Sequence, residues 1–160
     1  MTGAAGKTPD EGAKIMELHP RDPDFAQRAR ASFAAQTVMQ TLGMSMDHVE
    51  PGKVVISARR HERLFQQQKF IHGGVLAIGL DSACGYSALS LAERGLEVMT
   101  VEFKTNFIAP AGQDKVIFTG RVIKPGRRVI FTEGTAHGLH GDDMILLATM
   151  TATMTYVDLG

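Results

Sequence analysis

A single carboxylate, Asp81, stands in an otherwise apolar stretch that follows the paired glycines Gly73 and Gly74. Between His72 and Glu93 no other residue carries a formal charge at neutral pH. In a helix, Gly74 and Asp81 lie on nearly the same face, separated by about 10 Å. Buried carboxylates are rare without a partner or a catalytic task. Asp81 is therefore a candidate base or nucleophile, and the alternative is a structural acid paired with an arginine or with backbone amides.

The sequence His72-Gly73-Gly74 predicts the start of the helix that carries this acid. A helix start presents unsatisfied backbone N–H groups and the positive end of the helix dipole. Because glycine has no side chain, a carbonyl oxygen of a ligand can approach these N–H groups closely. An oxyanion site with a base or nucleophile on the same face favours acyl transfer or hydrolysis.

The hydrophobic pattern predicts the elements that position these residues. Residues 24–43 have helical spacing, with Asp24 as the N-cap, and a loop is expected after them. A strand is predicted over residues 52–60, then a buried helix that opens near His72 and ends near Arg94, then four strands joined by short hairpin links. The predicted class is α+β. One antiparallel sheet of about five strands curls around a long central helix, with an additional N-terminal helix.

Composition limits the classes of function. The chain has 160 residues, with 17 basic and 17 acidic side chains, so no net charge attracts nucleic acid or an anionic membrane. The single cysteine, Cys84, is typical of a cytoplasmic protein, and the sequence predicts neither a secretory signal nor a membrane-spanning stretch. Residues 1–22 are predicted to be a flexible leader, and residues 23–160 a single domain.

Two other candidate sites are weaker than the Asp81 region. Cys84 lies in an apolar helix, where burial raises the pKa of a thiol and makes it a poor nucleophile. His137, His140 and Asp143 have spacing that is compatible with a metal site. They fall where the predicted hairpin needs a turn, so the sequence favours a turn, and no metal is expected.

Four segments together resemble one family: "FIHGGVLAIGLDSACGYSA", "TVEFKTNFIAPA", "VIKPGRRVIF" and "ATMTATMTYV". Over about residues 50 to 157 the chain resembles the hotdog-fold acyl-CoA thioesterases, in particular the PaaI-like branch of phenylacetic acid degradation. The resemblance implies homodimers whose sheets join edge to edge, pairing of dimers into a homotetramer, and active sites between subunits. It also implies an acyl-CoA substrate and no metal or redox cofactor.

The resemblance implies roles for four catalytic residues. The backbone amide of Gly73 polarises the thioester carbonyl, and the side-chain amide of Gln66 assists it. Asp81, from the partner subunit, acts as general base or nucleophile. Thr100 helps to place the attacking water. Strict strand alternation, however, turns Thr100 away from the helix, so that it meets Asp81 only near a strand end or a bulge.

The same strand alternation groups the following apolar residues on the face that packs on the helix: Met99, Val101, Phe103 and Phe107.

Further residues are expected to bind substrate. His72 and Gly74 lie at the helix start, where the resemblance implies that the histidine mainly supports the loop. Lys124, Arg127 and Arg128 flank a Pro-Gly turn, where the alternatives are a solvated hairpin and, by resemblance, contacts with the coenzyme A phosphates.

The acyl pocket is expected to include three apolar residues: Phe70, Leu80 and Ala83. The sequence does not identify the acyl group. Two other functions stay open: a hotdog hydratase or dehydratase acting on acyl thioesters, and a non-catalytic acyl-CoA-binding protein. The first uses a catalytic histidine in motifs that this sequence does not show. Regulators of the second kind usually carry a DNA-binding segment, for which the 24–43 helix lacks a second helix or basic character.

Overall fold

The computed structural model of the protein describes residues 17–160. The predicted leader, residues 1–22, therefore lies mostly outside the described residues. At its described end, only 2% of Asp22 is exposed, and its carboxylate pairs with Arg28 at 3.3 Å and Arg94 at 3.1 Å. These ion pairs attach the start of the described chain to the segment that follows the central helix.

Residues 17–160 form three α-helices, one 3-10 helix and six strands, the α+β class that the sequence predicts. The helices are α1 (Phe25–Ala35), α2 (Thr37–Thr41), the 3-10 helix Glu62–Leu64 and α3 (Gly73–Leu89). The strands are β1 (Met44–Glu50), β2 (Lys53–Arg59), β3 (Leu96–Phe107), β4 (Lys115–Lys124), β5 (Val129–His140) and β6 (Asp143–Asp158). In this described part of the chain, no helix is both long and hydrophobic enough to cross a membrane.

The six strands form one antiparallel sheet in the order β1-β2-β4-β5-β6-β3. β1 and β3 stand at opposite edges of the sheet. The central helix α3 contacts every strand of the sheet, so the sheet curls around the helix. This confirms the expected hotdog architecture, with six strands in place of about five.

Small residues on both the helix and the sheet allow α3 to lie close to the strands. Gly120 and Gly134 are opposite each other on β4 and β5. A Cβ atom at Gly120 would lie 2.2 Å from the carbonyl group of Ala83, closer than any real contact. On the helix, a Cβ atom at Gly79 would lie 2.6 Å from the ring of Phe118. Close packing therefore accounts for the glycine at position 79 of this helix.

The helices are shorter than the sequence predicts. The predicted helix over residues 24–43 divides at Gln36, whose extended backbone separates α1 from α2. Asp24 stands at the N-cap position, but its side chain makes no capping bond and pairs with Arg94 instead. The central helix ends at Leu89, before the predicted end near Arg94. Helical spacing thus located these helices but did not predict where they end.

The segment after α2, predicted to be a loop, is the edge strand β1. The alternating hydrophobic pattern of this segment is short, with Met44 and Met46 buried on one face, and methionine is a weak strand signal. Pairing with β2, and a register shift between Met46 and His48, make it a strand. The expectation was wrong because hydrogen bonding to a neighbouring strand, and not local propensity, stabilises this segment.

Candidate active site

Thr100 lies on the edge strand β3, and its hydroxyl donates a 2.8 Å hydrogen bond to the carboxylate of Asp81 on α3. Strict alternation would turn Thr100 away from the helix. The register of β3 shifts between Thr100 and Glu102, however, which marks a β-bulge. Thr100 stands opposite the fully buried Met154, and opposite residues share a face of a sheet. The bulge therefore turns Thr100 towards the helix.

The same bulge divides the group of apolar residues predicted to share a face. Phe103 and Phe107 stand opposite the buried Ala152 and Ala148, on the helix side of the sheet. Met99 stands opposite Thr155, on the other side. The predicted grouping of Met99 with the two phenylalanines was wrong because an inserted residue exchanges the faces of a strand.

The carboxylate of Asp81 is half-buried and has no ion-pair partner among residues 17–160. Burial raises the pKa of Asp81 above its usual value of 3.8, and the hydrogen bond from Thr100 opposes part of that rise. The structural alternative, in which an arginine neutralises the acid, is therefore absent from the described part of the chain. The acid opens into a cleft of about 130 Å³ that is also lined by Ser82, Gly85, Tyr86 and Thr100.

At the start of α3, His72 is the N-cap residue, and its Nδ1 accepts a 2.9 Å hydrogen bond from the backbone N–H of Gly74. The next two N–H groups, of Val75 and Leu76, donate to the carbonyl oxygen of His72. Among the described residues, the N–H of Gly73 has no acceptor. The free donor of this first turn is thus the N–H to which the resemblance assigns the oxyanion role, and the His72 ring bonds to the backbone at the start of the helix.

Gly73 and Gln66 line the same cleft, whose volume is about 470 Å³. The side-chain oxygen of Gln66 accepts a hydrogen bond from the backbone N–H of Gln68, which leaves the NH₂ group of the carboxamide as the available donor. A Cβ atom at Gly73 would lie 3.2 Å from the ring of Phe107. The strand that carries Thr100 therefore also supplies a wall of this second cleft.

The two halves of the candidate site are separate within one chain. Gly73 and Asp81 are eight residues apart on α3, a rise of about 12 Å. Among residues 17–160, the cleft at Asp81 and the cleft at Gly73 share no lining residue. One thioester carbonyl cannot contact both groups of the same chain at that separation.

The basic turn lies away from both clefts. Lys124, Arg127 and Arg128 are exposed, and their side chains make no hydrogen bond or ion pair with any residue from 17 to 160. The carbonyl oxygen of Arg128 accepts a 3.3 Å hydrogen bond from the N–H of Tyr156, and Tyr156 stands opposite Val98, which lines the Asp81 cleft. The turn is therefore nearer to the Asp81 cleft than to the Gly73 cleft.

Two of the predicted pocket residues lie elsewhere. Leu80 and Ala83 are completely buried between α3 and the sheet, so neither lines a cleft, whereas Phe70 lines the Gly73 cleft as expected. Helical spacing alone cannot tell the sheet side of a buried helix from its cleft side. Burial raises the pKa of the Cys84 thiol to about 12, which confirms that this thiol is protonated at neutral pH.

The histidine-rich segment forms the predicted turn. Gly141 adopts a left-handed backbone, with φ of 58°, between β5 and β6. His140 contacts Asp114 at 2.8 Å, while Asp143 begins the next strand.

Sequence reasoning missed the part of the Asp81 cleft that comes from α1. Ser32 and Gln36 line this cleft, and the hydroxyl groups of Ser32 and Tyr86 are hydrogen-bonded at 3.1 Å. Ser32 lies in α1 and Gln36 is its C-cap residue, and their spacing of four residues places both on the same side at the end of the helix. That polar spacing was a usable signal, but only the packing of α1 against α3 shows that this face meets Asp81.

Comparison with known proteins identifies the family of the chain. The model of the thioesterase superfamily matches residues 68–145, which include α3, β3 and β4. A thioesterase family protein of Silicibacter pomeroyi is 42% identical, with a TM-score of 0.82, over 84% of this chain and 98% of that one.

More distant structures have the same fold. The PaaI protein from the phenylacetic acid degradation operon of Escherichia coli is 17% identical, with a TM-score of 0.75, over 84% of this chain and 94% of that one. A thioesterase of Haemophilus influenzae is 16% identical, with a TM-score of 0.74, over 83% of this chain and 90% of that one. The chain thus shares the hotdog fold of PaaI, and a relative that is 42% identical to it spans nearly the whole domain. The chain therefore belongs to the thioesterase superfamily, a family of thioester hydrolases.

Proposed function

We propose that the protein hydrolyses acyl-CoA or aryl-CoA thioesters to the free acid and coenzyme A, at sites shared between two copies of the chain. The observation that carries the proposal is a half-buried carboxylate, Asp81, that has a hydroxyl partner and no charged partner among the described residues and opens into a cleft. An acid held in this way, with its pKa raised by burial, is typical of a catalytic group.

The second half of the proposed site is the free N–H of Gly73 with the carboxamide of Gln66. These two donors are placed to bind the carbonyl oxygen of the thioester and the negative charge that forms on it in the transition state. Removing one such donor costs about 3 to 4 kcal/mol in comparable enzymes. The neighbouring Phe107 ring excludes water from one side of the donors, which strengthens their hydrogen bonds to the carbonyl oxygen.

In the proposed reaction, Asp81 must be ionised. As a general base it takes a proton from water, and the oxygen of that water forms a bond to the carbonyl carbon. The tetrahedral intermediate carries its charge on the oxygen bound by Gly73, then the C–S bond breaks and the thiolate of coenzyme A takes the proton. As a nucleophile, the carboxylate of Asp81 would bond to the carbonyl carbon while the C–S bond breaks and coenzyme A leaves as the thiolate. Water would then cleave the resulting acyl anhydride, which returns the carboxylate of Asp81 and the free acid and supplies the proton that the thiolate takes. Both routes use only groups of the protein and water.

A second copy of the chain is needed because Gly73 and Asp81 of one chain face separate clefts. The edge strand β3 supports a homodimer. Its backbone groups on the outer side have no neighbouring strand among the described residues, and Phe103 and Phe107 are 46% and 58% exposed. An exposed apolar edge of this length is a template for pairing with another chain. Edge-to-edge pairing of two copies would bring α3 of one towards α3 of the other.

The remaining parts of the proposal concern substrate and assembly. The positive side chains of Lys124, Arg127 and Arg128 suit the coenzyme A phosphates, which carry negative charge. On the outer face of the sheet, Val129 and Phe131 are 44% and 47% exposed, which supports a second contact that pairs dimers into a homotetramer. A cytoplasmic location is supported by the single cysteine.

Release of free thiol from short, medium, long and aryl-CoA thioesters tests this function. We expect thiol release by the wild-type chain, and its loss in folded Asp81→Ala. Hydration of enoyl-CoA without thiol release would replace the proposal by a hydratase, and tight acyl-CoA binding without turnover would replace it by a binding protein. Near-normal hydrolysis by folded Asp81→Ala would reject the role of Asp81.

A further inference from the structure

Gly85 lies one helical turn after Asp81 on the same face of α3, inside the Asp81 cleft. A glycine in a helix interior lowers helix stability relative to alanine, so its presence needs a reason. At Gly79 the reason is the ring of Phe118, which lies 2.6 Å from the position that a Cβ atom would occupy. At Gly85, apart from its chain neighbours and the adjoining backbone of α3, no atom of the described residues lies within 4 Å of the corresponding position.

Packing within the chain therefore does not require Gly85, and the space above it belongs to the cleft. This space continues from the carboxylate of Asp81 along α3 as far as Leu89, which also lines the cleft. An acyl group whose carbonyl carbon is attacked beside Asp81 would extend over Gly85. We propose that Gly85 is the residue that sets the acyl chain length the enzyme accepts, an inference that rests on the proposed thioesterase function.

The walls of the cleft support a limit on size. Tyr86 is 5% exposed, its ring packs edge-on against Phe33 with centroids 5.7 Å apart, and its hydroxyl is bonded to Ser32. These contacts hold α1 against α3, so this side of the cleft cannot easily widen. The cleft volume of about 130 Å³ is close to that of a cavity of about 150 Å³ that holds benzene in another protein. The part of the cleft that one chain supplies therefore has room for about six carbon atoms beyond the carbonyl.

Glu97, half-buried on β3, also lines this cleft. Its carboxylate would repel an acyl group that ends in a second carboxylate. The space above Gly85 therefore fits a compact, uncharged acyl group.

The test is a series of straight-chain CoA thioesters from acetyl to decanoyl, with kcat/KM measured for the wild type, Gly85→Ala and Gly85→Val. We expect the ratio of kcat/KM for hexanoyl-CoA to that for acetyl-CoA to fall about 10- to 200-fold in Gly85→Ala. The methyl group of the alanine side chain would occupy the space of one methylene group of the acyl chain. Gly85→Val should shift the preference further towards acetyl-CoA. Gly141→Asn, at another glycine with open space around its Cβ position, is the matched control and should keep the wild-type ratio.

Each other result has a distinct meaning. Thermal melting of Gly85→Ala should occur at or above the wild-type temperature, which separates a change in specificity from misfolding. An unchanged ratio in this folded variant would overturn the inference and leave the thioesterase function standing. A change in molar mass by light scattering would assign Gly85 to a subunit contact and would also overturn it. Absence of thiol release from every thioester by the wild type would reject the proposed function itself, and the inference with it.

Discussion

The hydroxyl of Thr100 and the carboxylate of Asp81 are joined by a 2.8 Å hydrogen bond between the edge strand and the central helix. The hydrogen bond favours the ionised carboxylate, while burial favours the protonated acid. The balance of these two effects fixes the pH range in which Asp81 can act as base or nucleophile. It also links activity to the β-bulge that turns Thr100 towards the helix.

Removing the hydroxyl of Thr100 should move the pH dependence of hydrolysis. Thr100→Val keeps the shape of the side chain but cannot donate to Asp81, so the pKa of the acid rises further. The acidic limb of the kcat/KM profile should therefore move to higher pH, with the largest loss of activity at the acidic end. Thr100→Ser keeps the donor and is the control, with a profile close to that of the wild type. Identical profiles for the valine and serine variants would show that the hydrogen bond does not tune the base.

Two inactive variants should restore activity when they are mixed. Asp81→Ala removes the acid and Gln66→Ala removes a carbonyl donor, and each should lower turnover by about 10²-fold or more. If the two groups act from different subunits, a mixed dimer has one intact site. After unfolding and refolding together, random pairing should give about a quarter of the wild-type activity. Recovery no greater than the sum of the separate variants would place both groups in the same chain's site.

Asp81 should lower the stability of the protein at neutral pH. Its pKa is raised in the folded state above the usual 3.8, so ionisation of Asp81 costs more free energy in the folded protein than in the unfolded chain and lowers the stability of the fold. Asp81→Asn keeps an acceptor for Thr100 without the charge, and should raise the melting temperature at pH 7. The gain should shrink as the pH falls through the raised pKa towards 3.8, where the wild-type acid is already protonated. A variant that melts below the wild type at pH 7 would contradict the direction of this pKa shift.

A charge on the exposed edge strand should separate the proposed dimer. Phe103 is 46% exposed, and Phe103→Lys would place a charge in the apolar contact, where burial is costly. The molar mass from light scattering or sedimentation should fall, and thiol release should fall with it. Met144→Lys, at a residue 63% exposed near the β5–β6 turn, is the matched control and should leave the mass unchanged. An unchanged mass for Phe103→Lys would exclude pairing along β3.

Filling the close contact between α3 and the sheet should destabilise the fold. A Cβ atom at Gly120 meets the backbone of Ala83 at 2.2 Å, and backbone cannot move as a side chain can. Gly120→Ala should therefore cost about 1 to 3 kcal/mol of unfolding free energy, or more. Gly134→Ala, whose nearest contact is the side-chain sulfur of Cys84 at 3.0 Å, should cost less. Denaturant unfolding measures both, and equal small losses would show that the helix can shift away from the sheet.

Much of the site could be predicted because its signals are local in sequence. Paired glycines after His72 gave the helix start, and the lone Asp81 stood out against apolar neighbours. Both observations depend on residue type and on a spacing that any α-helix preserves. The fold class followed for the same reason, because period and turn residues mark helices and strands one at a time.

Local patterns failed where distant segments decide the structure. The side of the sheet on which Thr100 lies depends on a bulge in the pairing of β3 with β6. Similarly, β1 is a strand because β2 lies beside it. Burial of Leu80 and Ala83 on the sheet side of α3 needs the position of the sheet, which periodicity does not contain.

The sequence by itself determined the α+β class and most of its elements, the helix that begins at the paired glycines, and the acid two turns inside it. Tertiary structure alone decided that Thr100 reaches Asp81, that β3 is an edge, that Gly85 opens into a cleft, and that the two halves of the candidate site face apart. The physical reason is that hydrogen-bond register and packing depend on residues far apart in the chain, whereas helix and strand periodicity depend on near neighbours.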